Sequence, residues 1–203
     1  MDEGLKGQVT GSAAEIYEEF FVPALFWQWA PVVADVAGIS EGQRGLHGAC
    51  GTSVQGSQAG SRGASVTGLD RNDGMLATAR RIAPSVAWKT GNAEQLPFAD
   101  GSFDAVVSQF GLMFFDDRAQ ALREMRRVLK PGGRLAVAVW DRLENSPGYA
   151  VMAALLERLF GRRIAGELHA PFALGDAGKL RALFAEGGMR DAKVAIHGGM
   201  ARF

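Results

Sequence analysis

The sequence predicts an α/β fold: a mostly parallel sheet with helices on both faces. Two observations carry this expectation. Continuous apolar runs such as Phe103–Gln109 and Arg134–Trp140 read as strands buried on both sides, the habit of parallel sheets. Between them lie stretches whose apolar residues recur every three or four positions, the spacing of one helix face. A length of 203 residues agrees, being enough for one domain with a real core.

From Ala13 to Ala37 the chain is apolar and aromatic. Ile16, Phe20 and Ala24 share one helical face, and Tyr17, Phe21 and Leu25 share another. Pro23 and Pro31 are poorly tolerated inside a helix, so two or three short helices are expected, each with a proline near its start. The aromatic density of Tyr17–Trp29 needs a core or a ligand to cover. Residues 1–11 read as a frayed leader, 1–37 as an N-terminal helical cover, and 38–203 as the main domain.

Residues 45–65 should hold the first strand and first helix of the sheet, yet they contain six glycines and little to bury beyond Leu46 and Val54. The pattern then becomes regular. Ser65–Asp70 is a strand that ends in an acid, and Asp73–Ile82 is a helix with Met75, Ala79 and Ile82 on one face. Val86–Trp88 and Phe103–Gln109 are strands. Arg118–Leu129 is a helix striped by Leu122, Met125 and Leu129, with Arg123, Arg126 and Arg127 as a solvated face. Pro131-Gly132-Gly133 stops it, and Arg134–Trp140 is the next strand. Ser146–Leu159 and Asp176–Glu186 are helices, the second N-capped by Asp176. Ala192–Ile196 reads as a last short strand.

Composition removes several function classes. Lys plus Arg and Asp plus Glu are both 22, so there is no overall basic footprint and no nucleic-acid partner is expected. No run of about 18 apolar residues is present, so no membrane span is expected. The opening MDEGLKGQVTGSAAE lacks the apolar centre of a secretory signal, which points to the cytoplasm. Cys50 is the single cysteine, which excludes an internal disulfide and a cysteine-cluster metal site, and no metal is expected.

Two pieces bear on chemistry. Asp70 closes a strand of an open parallel sheet, and ligands of such sheets bind beyond the strands' carboxyl ends. A carboxylate there can accept both hydroxyls of a ribose through two charge-assisted bonds; the alternative is an N-cap for the Asp73–Ile82 helix. In the block Gly91–Gln109, Asn92 can hydrogen-bond the edge of a base, and Gln109 stands at the next strand's carboxyl end. The alternative is a plain surface loop with a tight turn at Ala99–Ser102. The helix, Pro-Gly-Gly and strand of Leu122–Val137 are structural in themselves.

Three blocks in this order, VTGLDRNDGMLATARRIAP, GNAEQLPFADGSFDAVVSQFGLMFF and ALREMRRVLKPGGRLAVAVW, resemble class I S-adenosylmethionine-dependent methyltransferases. Within that group they are similar to the methyltransferase type 11 branch, which includes ubiquinone and menaquinone biosynthesis C-methyltransferases. The resemblance spans residues 13–203 and is tightest over 66–140. It implies a Rossmann-like, doubly wound, seven-stranded sheet of order 3-2-1-4-5-7-6 with strand 7 antiparallel. It implies S-adenosyl-L-methionine as cofactor. Asp70 would then take the ribose hydroxyls, and Arg71 and Met75 would border the adenosine. Asn92 would reach the adenine amino group, with Ala93 beside it. Gln109 and Phe110 would line the methionine end, and Tyr17 and Phe21 would belong to a cover over the cofactor.

The glycine loop of that family matches only in part. Ala49, Gly51 and Ser53 stand at its three small positions, and His47 replaces the usual acid that helps to hold the cofactor's ammonium. A neutral His47 would accept one hydrogen bond; a protonated one would repel the ammonium. Ser53 costs energy if the backbone needs positive φ there. Gly45 and Gly48 should weaken a central strand, and the later glycines make a poor helix. The chain ends at Phe203, inside or just after the strand pair that finishes such a sheet, so the C-terminal part reads as incomplete. An exposed sheet edge would favour homo-oligomers.

The resulting expectation is methyl transfer from S-adenosyl-L-methionine to a small, apolar or aromatic acceptor. The alternative is a non-catalytic methyltransferase-like domain with impaired cofactor binding. A nicotinamide dehydrogenase is disfavoured, because no G-x-G-x-x-G follows a good strand. No residue stands out as a general base. His169, in the loop Glu167–Asp176, is a weak candidate, since a lone histidine is more often structural. Trp140, Met113 and Phe114 follow strand ends and can face an apolar substrate, and Cys50 reads as a small packing residue.

Overall fold

The computed structural model describes residues 11–52 and 60–202. Its described strands are β1 (Arg44–Gly48), β2 (Ser65–Asp70), β3 (Ala87–Thr90), β4 (Phe103–Gln109) and β5 (Leu129–Ala138). All pair in parallel, in the spatial order β3-β2-β1-β4-β5. The chain runs outward from β1 in one direction to β3 and in the other to β5. The crevice between β1 and β4 is therefore the topological switch point where open α/β sheets bind ligands.

This order is the first five positions of the expected seven. Among the described residues the last two strands do not form. Ala192–Ile196 is irregular instead, with Val194 packed on the core and Ile196 exposed. A strand is held by a neighbour, and no described strand pairs with the outer edge of β5. Of the expected glycine-rich helical stretch past Thr52, residues 53–59, including Ser53, lie outside the described residues, as do the leader residues 1–10.

β1 forms despite Gly45 and Gly48 because it is paired on both sides and its gaps are filled. Side chains on Gly45 and Gly48 would meet Val66 at 3.7 Å and Met125 at 3.5 Å, ordinary contact distances. The neighbours already occupy the volume that larger residues would have supplied. The core has two layers. Leu46, Val106, Leu122, Met125 and Val128 pack on one face of the sheet, while Val33, Ala34, Val66, Ala105 and Val107 pack on the other. Alternation along β4 sends Val106 one way and Ala105 and Val107 the other.

The N-terminal segment departs from expectation. Helix α1 (Gly11–Ile16) runs without a break into a π-helical stretch, Tyr17–Phe26, then a 3₁₀ turn, Trp27–Trp29, then α2 (Ala30–Ala37). Pro31 sits in the first turn of α2, as expected, and Gly38 closes that helix at φ 64°. Pro23 lies inside the π-helical stretch, not at a helix start. The wider turn moves the preceding carbonyls clear of the proline ring. It also shifts the phase of the stripe: Val22, Ala24 and Leu25 are buried, whereas Ile16 and Phe20 are exposed. By length and composition the helical stretch Ala13–Ala37 is apolar enough to cross a bilayer, which the run-length reading did not anticipate. Here α1 lies along the helix after β2, and α2 lies on β4 and β5.

The remaining helices are α3 (Asp73–Ile82), α4 (Arg118–Val128), α5 (Pro147–Phe160), α6 (Arg162–His169) and α7 (Ala177–Glu186). Asp176 caps α7 by accepting the Gly178 and Lys179 N–H groups at 2.8 and 2.9 Å. The Pro-Gly-Gly turn is not the stop for α4. That helix ends at Val128, and the chain enters β5 directly. Lys130–Gly133 bulge out between the pairs Phe103–Leu129 and Ala105–Arg134, with Gly132 at φ 80°. Arg127 is not part of a solvated face either. It donates to Glu124 and Asp100 and to the carbonyls of Leu96 and Phe98, so it ties α4 to the loop before β4.

Candidate functional site

The carboxyl ends of β1, β2 and β4 surround a cavity of about 300 Å³. That is at the small end of the range for small-molecule sites. Two left-handed residues turn the chain out of β1: Ala49 at φ 55° and Gly51 at φ 53°. The loop they make is stitched to β2. Cys50 N–H donates to the Leu69 carbonyl at 3.0 Å, and Gly51 N–H donates to Asp70 Oδ2 at 2.8 Å. Ala49 also lies close to Gly111 beyond β4, where an added Cβ would stand 2.7 Å from that of Ala49.

Asp70 is the hinge of this arrangement. Its other oxygen, Oδ1, accepts Asn72 N–H at 2.9 Å. Burial pushes its carboxyl up, and the backbone N–H groups of Asn72, Gly51 and Arg71 pull it partly back. Asp70 is not the cap of α3. That role belongs to Asn72, whose Oδ1 accepts Gly74 and Met75 N–H groups at 2.9 and 3.1 Å. The carboxylate is thus left facing the cavity with its β1-loop and turn contacts already made.

The side of the cavity beyond β2 and β3 is walled by Arg71, Met75, Asn92, Ala93 and Glu94. Met75 and Ala93 are buried and apolar. Asn92 is exposed, and its Oδ1 accepts Glu94 N–H at 2.9 Å within its own turn. Glu94 in turn accepts Asp116 N–H at 2.9 Å. The opposite side is aromatic. Tyr17 lies against Gly51, with its ring edge and hydroxyl 3.8 Å from where a Cβ would stand. Burial and then Asp70 push the Tyr17 hydroxyl pKa up, so it stays protonated. Tyr17 stacks on Phe26 at 5.3 Å between centroids, and Gln109 Nε2 donates to the Phe26 carbonyl at 2.9 Å. That bond fastens the N-terminal segment to the end of β4.

His47 is buried in the wall, and neither ring nitrogen has a hydrogen-bond partner. Burial pushes its pKa down to about 3, so the imidazole is neutral and the repulsive, protonated form does not arise near neutral pH. Thr52 also lines the cavity, with its hydroxyl buried and unpartnered. His169 is exposed at the end of α6 and does not line the cavity, and His197 is exposed in the irregular C-terminal segment. Neither is placed to act as a base there. Phe21 is exposed at 40% and leans on Tyr17, so of the two aromatics expected over the cofactor only Tyr17 reaches the cavity.

Sequence reasoning placed Tyr17, His47, Ala49, Gly51, Asp70, Arg71, Met75, Asn92, Ala93, Gln109 and Phe110 at the site, and all of them line this one cavity. It missed Phe26, Thr52, Asn72, Glu94 and Gly111. Asn72 carried a readable signal, an Asn directly before a helical run. Phe26 carried none, because the π-helical turn sets which aromatics point inward.

The profile of a family described as "Methyltransferase domain" matches residues 46–137, the stretch from β1 to β5 that builds this cavity. Over that stretch the chain is similar to S-adenosylmethionine-dependent methyltransferases. A demethylmenaquinone methyltransferase of Renibacterium salmoninarum is 40% identical over 131 residues, 64% of this chain and 55% of that protein. One of Mycolicibacterium paratuberculosis is 41% identical over 135 residues, 66% of this chain and 57% of that protein. The chain thus spans about half the length of the curated relatives it matches. Among solved structures, a Thermotoga maritima S-adenosylmethionine-dependent methyltransferase, named a possible histamine N-methyltransferase, superposes with a TM-score of 0.66 at 24% identity. That superposition covers 88% of this chain and 78% of the other, and the likeness is one of fold.

The cavity suits S-adenosylmethionine in its chemistry. A carboxylate stands at the end of β2, apolar Met75 and Ala93 lie to one side, and the Thr52 hydroxyl is buried without a partner.

Proposed function

We propose that this chain catalyses methyl transfer from S-adenosylmethionine to a small aromatic or apolar acceptor. When bound, the cofactor supplies a methyl group on a sulfonium, and its sulfur keeps the bonding pair when the acceptor takes the methyl. Asp70 accepts the ribose hydroxyls, Met75 and Ala93 pack against the adenine, and Arg71 and Asn92 border its edge. Tyr17, Gln109 and Phe110 lie toward the methionine end with the turn of Ala49 and Gly51. Thr52 offers a hydroxyl donor and neutral His47 a hydrogen-bond acceptor. The N-terminal segment acts as the cover that keeps water from the reacting centre.

The acceptor class follows from what the cavity lacks. Its titratable lining residues are Tyr17, His47, Cys50, Asp70, Arg71 and Glu94. Tyr17 and Cys50 are held protonated by burial, His47 is too weak a base at about 3, and Asp70 and Glu94 are bonded to backbone N–H groups. Among the described residues no strong base lines the cavity, which supports an acceptor that ionises readily by itself, as a phenol or a reduced quinone does. Alignment and water exclusion then supply the catalysis. The demethylmenaquinone methyltransferases among the relatives, named for a quinone, support this reading. A soluble enzyme at work in the cytoplasm is part of the same proposal.

The observation that carries the proposal is the Asp70 carboxylate at the switch-point cavity, gripping the β1 loop. Isothermal titration calorimetry with S-adenosylmethionine and S-adenosylhomocysteine tests it. Micromolar binding is expected; a folded chain that binds neither at millimolar concentration overturns the proposal in favour of a non-catalytic domain.

A further inference from the structure

Phe110 is the first residue after β4, and it adopts φ 56°, a left-handed conformation that a bulky side chain rarely takes. Its N–H is bonded to the Ala138 carbonyl at 2.9 Å, so the conformation is fixed by the end of β5. Residues held this way cluster where a side chain has to be aimed. The ring is aimed at Trp140: the two stack with centroids 4.3 Å apart and planes 17° from parallel. Phe26, from the N-terminal segment, closes the group at 5.5 Å from Phe110 and 6.1 Å from Trp140. Three rings from three separate elements thus meet at one point.

Their placement relative to the cavity is asymmetric. Phe26 and Phe110 line it, while Trp140 does not and stacks on Phe110. From Trp140 the row continues to Phe172 at 6.4 Å and on to Tyr149 of α5 at 5.4 Å. Phe26, Phe110 and Trp140 are each only half-buried, so part of each ring stays accessible. The Tyr149 hydroxyl, at the far end of this row, is held protonated by burial. Flat ring faces read ring shape more than hydrogen-bond pattern.

We infer that Phe110, Trp140 and Phe26 form the acceptor-recognition wall, and that Trp140 selects a planar aromatic ring over a saturated one of the same size. The inference rests on the methyltransferase reading and narrows it to an acceptor that is flat. Trp140 is a specificity residue here: it backs and extends the Phe110 face without being needed for the cofactor.

The probes are 2-naphthol and its saturated counterpart decahydro-2-naphthol, titrated by calorimetry into the full chain saturated with S-adenosylhomocysteine. Wild type should bind the naphthol about tenfold tighter than the saturated alcohol, the upper end of what ring stacking adds beyond burial. Trp140→Leu should bring the two within about threefold of each other, and Trp140→Phe should keep most of the preference, since it preserves a ring face. Both variants should bind S-adenosylhomocysteine as wild type does, which also shows that they are folded. Equal affinity of wild type for the two alcohols overturns the inference and leaves the methyltransferase reading standing. So does a Trp140→Leu variant that keeps the preference, or one that loses S-adenosylhomocysteine in parallel. Failure of wild type to bind S-adenosylhomocysteine at all overturns both.

Discussion

Lowering the pH from 7 to 5 should destabilise this protein through His47, by an amount that follows from its burial. The imidazole has a pKa of about 3 in the fold, against 6.5 when free. Above pH 6.5 both folded and unfolded chains carry a neutral His47, and the residue adds no pH dependence. Below 6.5 the unfolded chain takes up a proton that the folded chain cannot. Stability therefore falls by about 1.4 kcal/mol for each pH unit, down to the folded value. At pH 5 the loss is about 2 kcal/mol, a large share of the roughly 5–15 kcal/mol that holds a domain together. pH 5 lies well above the folded value, so the slope is fully expressed there. The assay is urea unfolding at pH 7, 6 and 5 on wild type and on His47→Leu, which fills a similar volume and cannot titrate. Groups shared by both proteins cancel in the difference. Wild type should lose about 2 kcal/mol more than the variant between pH 7 and 5. The variant should also be the more stable at pH 7, because it removes two buried ring nitrogens that have no partner. Parallel pH profiles would refute the reasoning.

Two further outcomes are expected. Asp70→Asn should weaken S-adenosylhomocysteine binding about a hundredfold, the worth of lost charge-assisted bonds, and lower stability by about 1–3 kcal/mol because Gly51 and Asn72 N–H groups lose a charged acceptor; calorimetry and urea unfolding read the two effects. Arg127→Ala should cost about 1–3 kcal/mol and speed hydrogen exchange in the Leu96–Asp100 loop, and Arg127→Lys should restore little, because a lysine cannot replace a planar fork that serves two carboxylates and two carbonyls.

Where the sequence could be read and where it could not follows from the range of the interactions involved. The bounds of Ser65–Asp70, Phe103–Gln109 and Asp73–Ile82 are legible to the residue, because strand burial and helix capping are local. Ala192–Ile196 has a strand's alternation, but whether it pairs depends on a neighbour far away in the chain. The N-terminal stripe was read with a period of 3.6, and the π-helical turn broke that period, turning Phe20 outward to 61% exposure. Arg127 looked like one of three equivalent charges; its four partners come from a loop about 30 residues earlier and from its own helix. At the site, the residues on strand ends were legible, since topology alone places them together. Gly68 shows the limit: its glycine is needed because the Trp88 ring crosses β2 there, a contact invisible without the β2–β3 register.

The Asp70 contacts bear on how an irregular glycine loop can still form a cradle. A carboxylate offers about four lone-pair sites. Gly51 and Asn72 N–H groups take one on each oxygen, which leaves room for a vicinal diol to donate one bond to each. On the proposed reading, loop order and ribose binding would use the same carboxylate without competing for it. The loop is held in its left-handed turns at Ala49 and Gly51 by a residue on the neighbouring strand instead of by an acid on β1. Further donors also favour the ionised form of a carboxyl that burial alone pushes up, so a bound diol strengthens the grip of Asp70 on Gly51. On the proposed reading, His47 in place of an acid would cost one direct contact to the ligand, while the backbone geometry that shapes the cradle is secured from β2.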